Sequence, residues 1–352
     1  MAVTGPTTGF KTTDPNTSAT QDLGARYVSK DYLIDVYPNI ASVTGTITSP
    51  GLWLWGYNAY GQLGNNSTTY RSSPVQVGSL TNWRQVVSGI YHTAAVKTDG
   101  TLWAWGYNNN GQLGLNDIVH RSSPVQVGSL TNWKQVVAGT YSTFAIKTDG
   151  TLWTWGYNTN GQLGLLNIVH RSSPVQVGSL TNWKQVVAGG YHCAAVKTDG
   201  TLWAWGHNGF GQLGVNDIVH RSSPVQVGSL TNWRQIACGL YPSAAIKTDG
   251  TLWLWGRNNY GQLGLGDNVN RSSPVQVGLL TNWKQVAGGR FKLTAIKTDG
   301  TLWLWGFNTY GDLGLLDTVV RSSPVQVGLL TNWKQVSSGL SYHSAAISDG
   351  SY

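Results

Sequence analysis

From Gly51 onward, hydrophobic and polar positions fall into a pattern that recurs every 50 residues, with units opening at Gly51, Thr101, Thr151, Thr201, Thr251 and Thr301. Each unit reads LWxWGxNxxGQLG, a variable stretch, RSSPVQVGxLTNWxQV, a second variable stretch and a short apolar run ending KTDG. Four short strands are predicted per unit, taking residues 133–177 as the example. They are Trp133–Val137, Thr143–Lys147, Leu152–Trp155 and Pro174–Val177. Between the second and third, Thr148-Asp149-Gly150-Thr151 is a strong hairpin signal. Pro174 opens the fourth, where no ladder donor is needed. Alternation puts Leu102 and Ala104 on one face and Trp103 and Trp105 on the other, so both faces of an inner strand are apolar.

Four strands in about 50 residues, repeated in tandem, is the arithmetic of a β-propeller. The sixth unit departs slightly, with Asp312 in place of Gln, an extra Ser341, and Ser348 where Lys-Thr stands elsewhere. The array begins with a third-type strand at Leu52–Trp55 and ends after a second-type strand at Ser348-Asp349-Gly350. The two incomplete ends are complementary. The expected fold class is therefore all-β: a six-bladed β-propeller over residues 51–352, closed by a two-plus-two strand clasp that hides both sheet edges. Residues 1–50 form a separate, mostly irregular arm.

Composition agrees with strands and turns. Gly (45), Trp (18) and Tyr (16) are abundant and all 15 acidic residues are Asp, so strong helix formers are scarce. The net charge of +8 resides in the repeats, at the Arg71, Arg84 and Lys97 positions, because residues 1–50 hold three basic and four acidic groups. Evenly recurring single charges read as a solvated rim rather than a specific nucleic-acid site. Cys193 and Cys238 sit in non-equivalent places and form no disulfide or metal pattern. No apolar run reaches membrane-spanning length, and MAVTGPTTGF lacks the regions of a signal peptide, so no membrane insertion is expected.

The run GYNNNGQLGLND, with the LWAWG before it and the KTDG hairpin, resembles the regulator-of-chromosome-condensation repeat, six times over about 300 of the 352 residues. The resemblance implies a propeller. Members of that family usually have seven blades, and the best-known one is a small-GTPase exchange factor that docks on chromatin. That activity depends on a protruding β-wedge and a basic tail, and this chain carries neither. The resemblance thus implies the fold and not the exchange activity.

Residues 1–20 are rich in Thr, Gly, Asn and Pro and are expected to be extended or disordered. The segment that follows has enough Tyr27, Tyr32, Leu33, Ile34, Val36 and Tyr37 to bury against a partner, with a short helix predicted over 30–37. This opening resembles the N-terminal segments of structural proteins from tailed bacteriophages. The resemblance implies an anchoring arm, other virion proteins as its partners, and a virion location, with a cytoplasmic one as the alternative.

No paired acid–base groups, nucleophile constellation, P-loop or dinucleotide fingerprint is present, so neither catalysis nor a cofactor is expected. The recurring Asp99, Asp149, Asp199, Asp249 and Asp299 belong to hairpin turns. His120, His170 and His220 fall on three different blades, too far apart for one metal.

Binding is the better expectation, because differences between units concentrate in two windows while the scaffold stays constant. The first follows LWxWG and holds Tyr57, Tyr107, Tyr157, His207, Arg257 and Phe307, with Tyr60, Phe210, Tyr260 and Tyr310 close by. The second precedes the second strand and holds Tyr91 with His92, Tyr141, Tyr191 with His192, and Arg290 with Phe291. Aromatic loops with amides suit a host-surface glycan or a protein. The leading reading is a display module on a phage tail or other appendage. The alternative is a free protein- or glycan-binding propeller, with an exchange factor less favoured.

Overall fold

The computed structural model describes residues 51–338 and 344–348, together with the backbone of two strands, β1 (Lys11–Thr13) and β2 (Thr20–Asp22), which pair antiparallel. The helix predicted over 30–37 and the arm residues Tyr27, Tyr32, Leu33, Ile34, Val36 and Tyr37 lie outside the described residues.

The repeat begins with a two-stranded sheet, β3 (Trp53–Gly56) and β4 (Arg71–Gln76). The first full blade is β5 (Trp83–Ser88), β6 (His92–Lys97), β7 (Leu102–Gly106) and β8 (Arg121–Gln126). The second is β9 (Trp133–Ala138), β10 (Ser142–Lys147), β11 (Leu152–Gly156) and β12 (Arg171–Gln176). The third is β13 (Trp183–Ala188), β14 (His192–Lys197), β15 (Leu202–Gly206) and β16 (Arg221–Gln226). The fourth is β17 (Trp233–Cys238), β18 (Pro242–Lys247), β19 (Leu252–Gly256) and β20 (Arg271–Gln276). The fifth is β21 (Trp283–Gly288), β22 (Lys292–Lys297), β23 (Leu302–Gly306) and β24 (Arg321–Gln326). A second two-stranded sheet, β25 (Trp333–Ser338) with β26 (Ser344–Ser348), ends the array.

This is the all-β propeller expected, with five antiparallel meanders and one half-blade at each end. The complementary ends are present as their two halves. The clasp ladder between β26 and β3 is not formed among the described residues, where the halves remain separate sheets. Strand composition alone carries no information on the rotation between blades, and that rotation decides whether the ends meet.

Local chemistry explains each blade. At the hairpin, Asp149 Oδ1 accepts from the Thr151 amide at 2.9 Å and its hydroxyl at 2.7 Å. The Thr151 oxygen then accepts from Trp153 Nε1 at 2.9 Å. Gly150 has φ +78°, and a Cβ there would sit 2.0 Å from the Thr181 carbonyl oxygen, so only glycine fits. Lys147 lies over the Trp153 ring at 3.7 Å and is buried, as are its counterparts Lys97, Lys197, Lys247 and Lys297. The recurring lysines are thus packed on indoles rather than set in a solvated rim, because the aromatic faces offset the loss of water. Of the other recurring cations, Arg121, Arg221, Arg271 and Arg321 each pair with an Asp four residues earlier.

The fourth strand begins earlier than predicted, at Arg171 rather than Pro174. Its ladder with β11 is irregular between Thr154 and Gly156, and that break lets Pro174 sit mid-strand on the outer edge without a missing donor. The core lies between sheets. Trp105, Trp155, Trp205, Trp255 and Trp305 are wholly buried there. Each removes roughly 150–250 Å² from water, worth about 4–6 kcal/mol of transfer free energy.

Candidate binding face

The long loop between the third and fourth strands is organised by one buried asparagine per unit. In the first blade, Asn108 Oδ1 accepts from the Leu113 amide at 2.9 Å, and its Nδ2 donates to the Asp117 and Val119 carbonyls. His120 Nδ1 accepts from the Asn108 amide at 3.0 Å, and His170 and His220 repeat this contact at 3.1 Å. Asn270 takes the same role in the fourth blade. The recurring histidines are therefore loop clamps within their own blades.

The two variable windows meet. The Tyr107 amide donates to the Tyr91 carbonyl at 2.9 Å, and Tyr157, His207 and Phe307 pair likewise with Tyr141, Tyr191 and Phe291. The side chains form two runs of ring contacts on one face of the array. In the first, Tyr57 is 6.2 Å from Tyr60, Tyr60 is 5.6 Å from Tyr91, and Tyr91 stacks on Tyr141 at 5.7 Å. Tyr107 touches Tyr60, Tyr91 and Tyr141, and Tyr157 bridges Tyr141 to Tyr191.

The second run passes from His207 to Phe210 and Tyr241, and Tyr241 stacks on Phe291 at 5.9 Å. Tyr260, Phe307 and Tyr310 complete it. The guanidinium of Arg257 lies 4.9 Å from the Phe210 ring and 5.0 Å from that of Tyr241, and Arg290 lies 5.2 Å from Phe291. Most of these rings are half-buried, while Tyr57 and Tyr310 are exposed. Burial, aided by neighbouring phenols, pushes the Tyr141 hydroxyl up to about 12 and raises Tyr191 as well. These two phenols therefore stay protonated and can act as donors at neutral pH. Burial, with His220 beside it, lowers His207 and keeps it neutral too.

Two expected binding residues are elsewhere. His92 and His192 are 1% exposed and donate no surface. Their Nε2 atoms lie 2.9 Å from Thr143 Oγ1 and Ser243 Oγ on the following blade, so they fasten blades together. Strand alternation turns them inward, while the preceding tyrosines stay on the face. Two members were missed by sequence reasoning. Tyr241 occupies the position of Tyr91, Tyr141 and Tyr191, a signal available from the repeat alignment. Tyr70, 4.9 Å from Tyr57, was not singled out although it ends the variable stretch 65–70, where its counterparts are His, Asn or Val.

Beside the aromatic runs, Ile118 and Val119 stand 61% and 59% exposed at a loop tip, and Ile168, Val169, Ile218 and Val219 repeat them. The face offers apolar and aromatic area with scattered donors. Among the described residues no group of three or more metal-type side chains converges.

Comparison with known proteins bears on the fold. A search of curated proteins found no match. Among solved structures, human WBSCR16 aligns with 26% identity and a TM-score of 0.72 over 82% of this chain and 79% of its own. Yeast RCC1 (Prp20) bound to Kap60 aligns with 22% identity and a TM-score of 0.73 over 84% and 76%. Prp20p from Saccharomyces cerevisiae, solved in a study of its binding to Gsp1p and histones, gives 23% and 0.70 over 84% and 78%. The regulator of chromosome condensation (RCC1) repeat matches residues 51–96 and 99–146. Because the RCC1-like domain matches residues 131–352, well over half the chain, this protein belongs to the RCC1-like domain family.

Proposed function

We propose that this chain is a non-enzymatic interaction propeller that grips a protein partner through the aromatic face. The observation that carries the reading is the backbone pairing of the two variable windows, Tyr107 to Tyr91 and its repeats, which brings the aromatics of both windows together in connected runs of rings. Half-buried tyrosines held edge to face lose little conformational entropy on binding, and exposed pairs such as Ile118 and Val119 add apolar area at the margin. The similar Prp20 structures concern protein partners, Kap60 in one and Gsp1p and histones in the other, and this chain's face suits the same broad class of ligand. The particle-anchoring role expected of residues 1–50 gains no support from these similarities, so a free interaction module is the reading adopted.

The test is a capture experiment with the purified chain and its Tyr91→Ser/Tyr141→Ser variant, followed by titration of the identified partner and a parallel glycan array. A protein bound at least tenfold more weakly by the variant, with melting unchanged, supports the reading. Equal binding by both chains, or binding to glycans alone, overturns it.

A further inference from the structure

Three contacts recur at each junction between successive full blades, and one or two of them at the junctions with the terminal half-blades. The indole nitrogens of Trp105, Trp155, Trp205, Trp255 and Trp305 each donate at 2.9–3.0 Å to the carbonyl of the Gln fixed in the preceding sheet's loop. The amides of Gln85, Gln135, Gln185, Gln235 and Gln285 each bridge to the innermost strand of the next sheet, as Gln85 does to both backbone groups of Val136 at 3.0 Å. Loop amides from Asn66 to Gly266 donate at 2.7–2.8 Å to a serine carbonyl one sheet further on.

One more step of each series would join Trp55 to Asp312, Gln335 to Val86, and residue 316 to Ser72. Among the described residues none of these bonds is made. A Cβ on Gly311 would meet nothing within 4 Å, whereas Gly61, Gly111, Gly161, Gly211 and Gly261 each lie 2.5–2.6 Å from a serine Cα of the next sheet by the same measure. Contacts repeated without change impose one rotation at each junction, and the seven sheets, five blades and two halves, leave a seam between β26 and β3.

Each margin of the seam carries what the other lacks. In intact blades the β6-type strand pairs with the β7-type strand in a fixed register, with Thr93, Ala94, Ala95 and Val96 opposite Trp105, Ala104, Trp103 and Leu102. Strand β26 offers Ser344, Ala345, Ala346 and Ile347 for that register, and β3 with its preceding residue offers Trp55, Leu54, Trp53 and Leu52. A cavity of 370 Å³ lined by Leu54, Trp55, Leu63 and His92 opens beside β3. Unpaired margins of this kind are templates for strand addition.

We propose that β26 of one copy pairs with β3 of a second copy in the β6–β7 register, completing a four-stranded blade from two chains. A second copy is the occupant because it brings the hairpin β25–β26, whose small residues match the β3 register and whose β26 edge has no further strand partner among the described residues, and because this hairpin and β3 are separate sheets within one chain. Exchange of an identical element between copies is an established route to dimers and open assemblies.

The test uses the full chain. Light scattering across a concentration series should give masses that are multiples of 38.0 kDa at micromolar concentration and above. Chains carrying only Ala346→Cys are then mixed with chains carrying only Trp53→Cys under mild oxidation. The expected product is a disulfide-linked heterodimer containing one chain of each kind, with each variant melting as the parent does. A parent that stays at one chain mass throughout the series overturns the proposal. So does a chain bearing both substitutions that closes its disulfide internally at every dilution, since that outcome shows the ring closing on itself.

Discussion

Lys292 Nζ lies 3.4 Å from Asp312 Oδ1, with both side chains withdrawn from water to 2% and 1% exposure. The pair belongs to the fifth blade. Lys292 stands where other units have His, Ser or Pro, and Asp312 stands where they have Gln. The two departures from the repeat are thus physically coupled: the charge brought in by one is met by the other.

Removing one partner should leave an uncompensated buried charge. Lys292→Met is expected to lower unfolding free energy by about 3–5 kcal/mol. Restoring the composition of other units with Lys292→His and Asp312→Gln together should cost less than about 1.5 kcal/mol. Urea denaturation of the parent, the single and the double variant measures the difference.

Stability should decline on mild acidification. Burial holds His92 down to about 4, and burial with some repulsion from His207 holds His192 down to about 3. In the unfolded chain both titrate near about 6.5. Because the folded values lie below the unfolded one, their contribution is fully present above about pH 6.5 and is lost as pH falls toward the folded values. Between pH 7 and pH 5 the loss should be on the order of 1–2 kcal/mol per histidine. The His92→Ser/His192→Ser variant, which copies Ser142 of the second blade, should show a flatter profile in urea midpoints measured at both pH values.

Two glycines of left-handed backbone should respond differently to alanine. Gly150→Ala forces a methyl within 2.0 Å of the Thr181 carbonyl oxygen and should cost at least about 3 kcal/mol. Gly178→Ala has φ +59° but meets nothing within 4 Å, so only the backbone penalty of about 1–2 kcal/mol remains. Thermal melting of the two variants, read side by side, separates steric clash from conformational strain.

Both thiols should be silent in the native state. Burial raises Cys193 well above its ordinary value and pushes Cys238 up to about 12. A colourimetric thiol reagent at pH 8 should titrate fewer than about 0.1 equivalents in buffer and two in guanidinium.

Much of the fold was legible because its signals are local. Asp149-Gly150 announces a hairpin whatever surrounds it, and the Trp103/Trp105 alternation announces a strand covered on both faces. The start of the fourth strand was not, since Arg171 through Ser173 carry no apolar rhythm and pair only across an irregular ladder. At the binding face, Tyr91 and Tyr107 were readable as variable positions. Their backbone contact was not, because it spans 16 residues of sequence and depends on the β6–β7 pairing. His92 was misplaced because its turn looks like loop. Only the packing of one blade on the next shows that the imidazole serves Thr143.

The sameness of the glutamine bridges has a further consequence. A molecule whose successive interfaces are interchangeable possesses no internal ruler: nothing in any one blade records how many should follow. Excision or duplication of 50 residues would leave the remaining glutamine and indole bridges with their proper mates, and the angular width of the opening would change. Blade number in such a chain is set by how often the segment was copied, and its shape can be lengthened or shortened in whole steps without inventing a new contact.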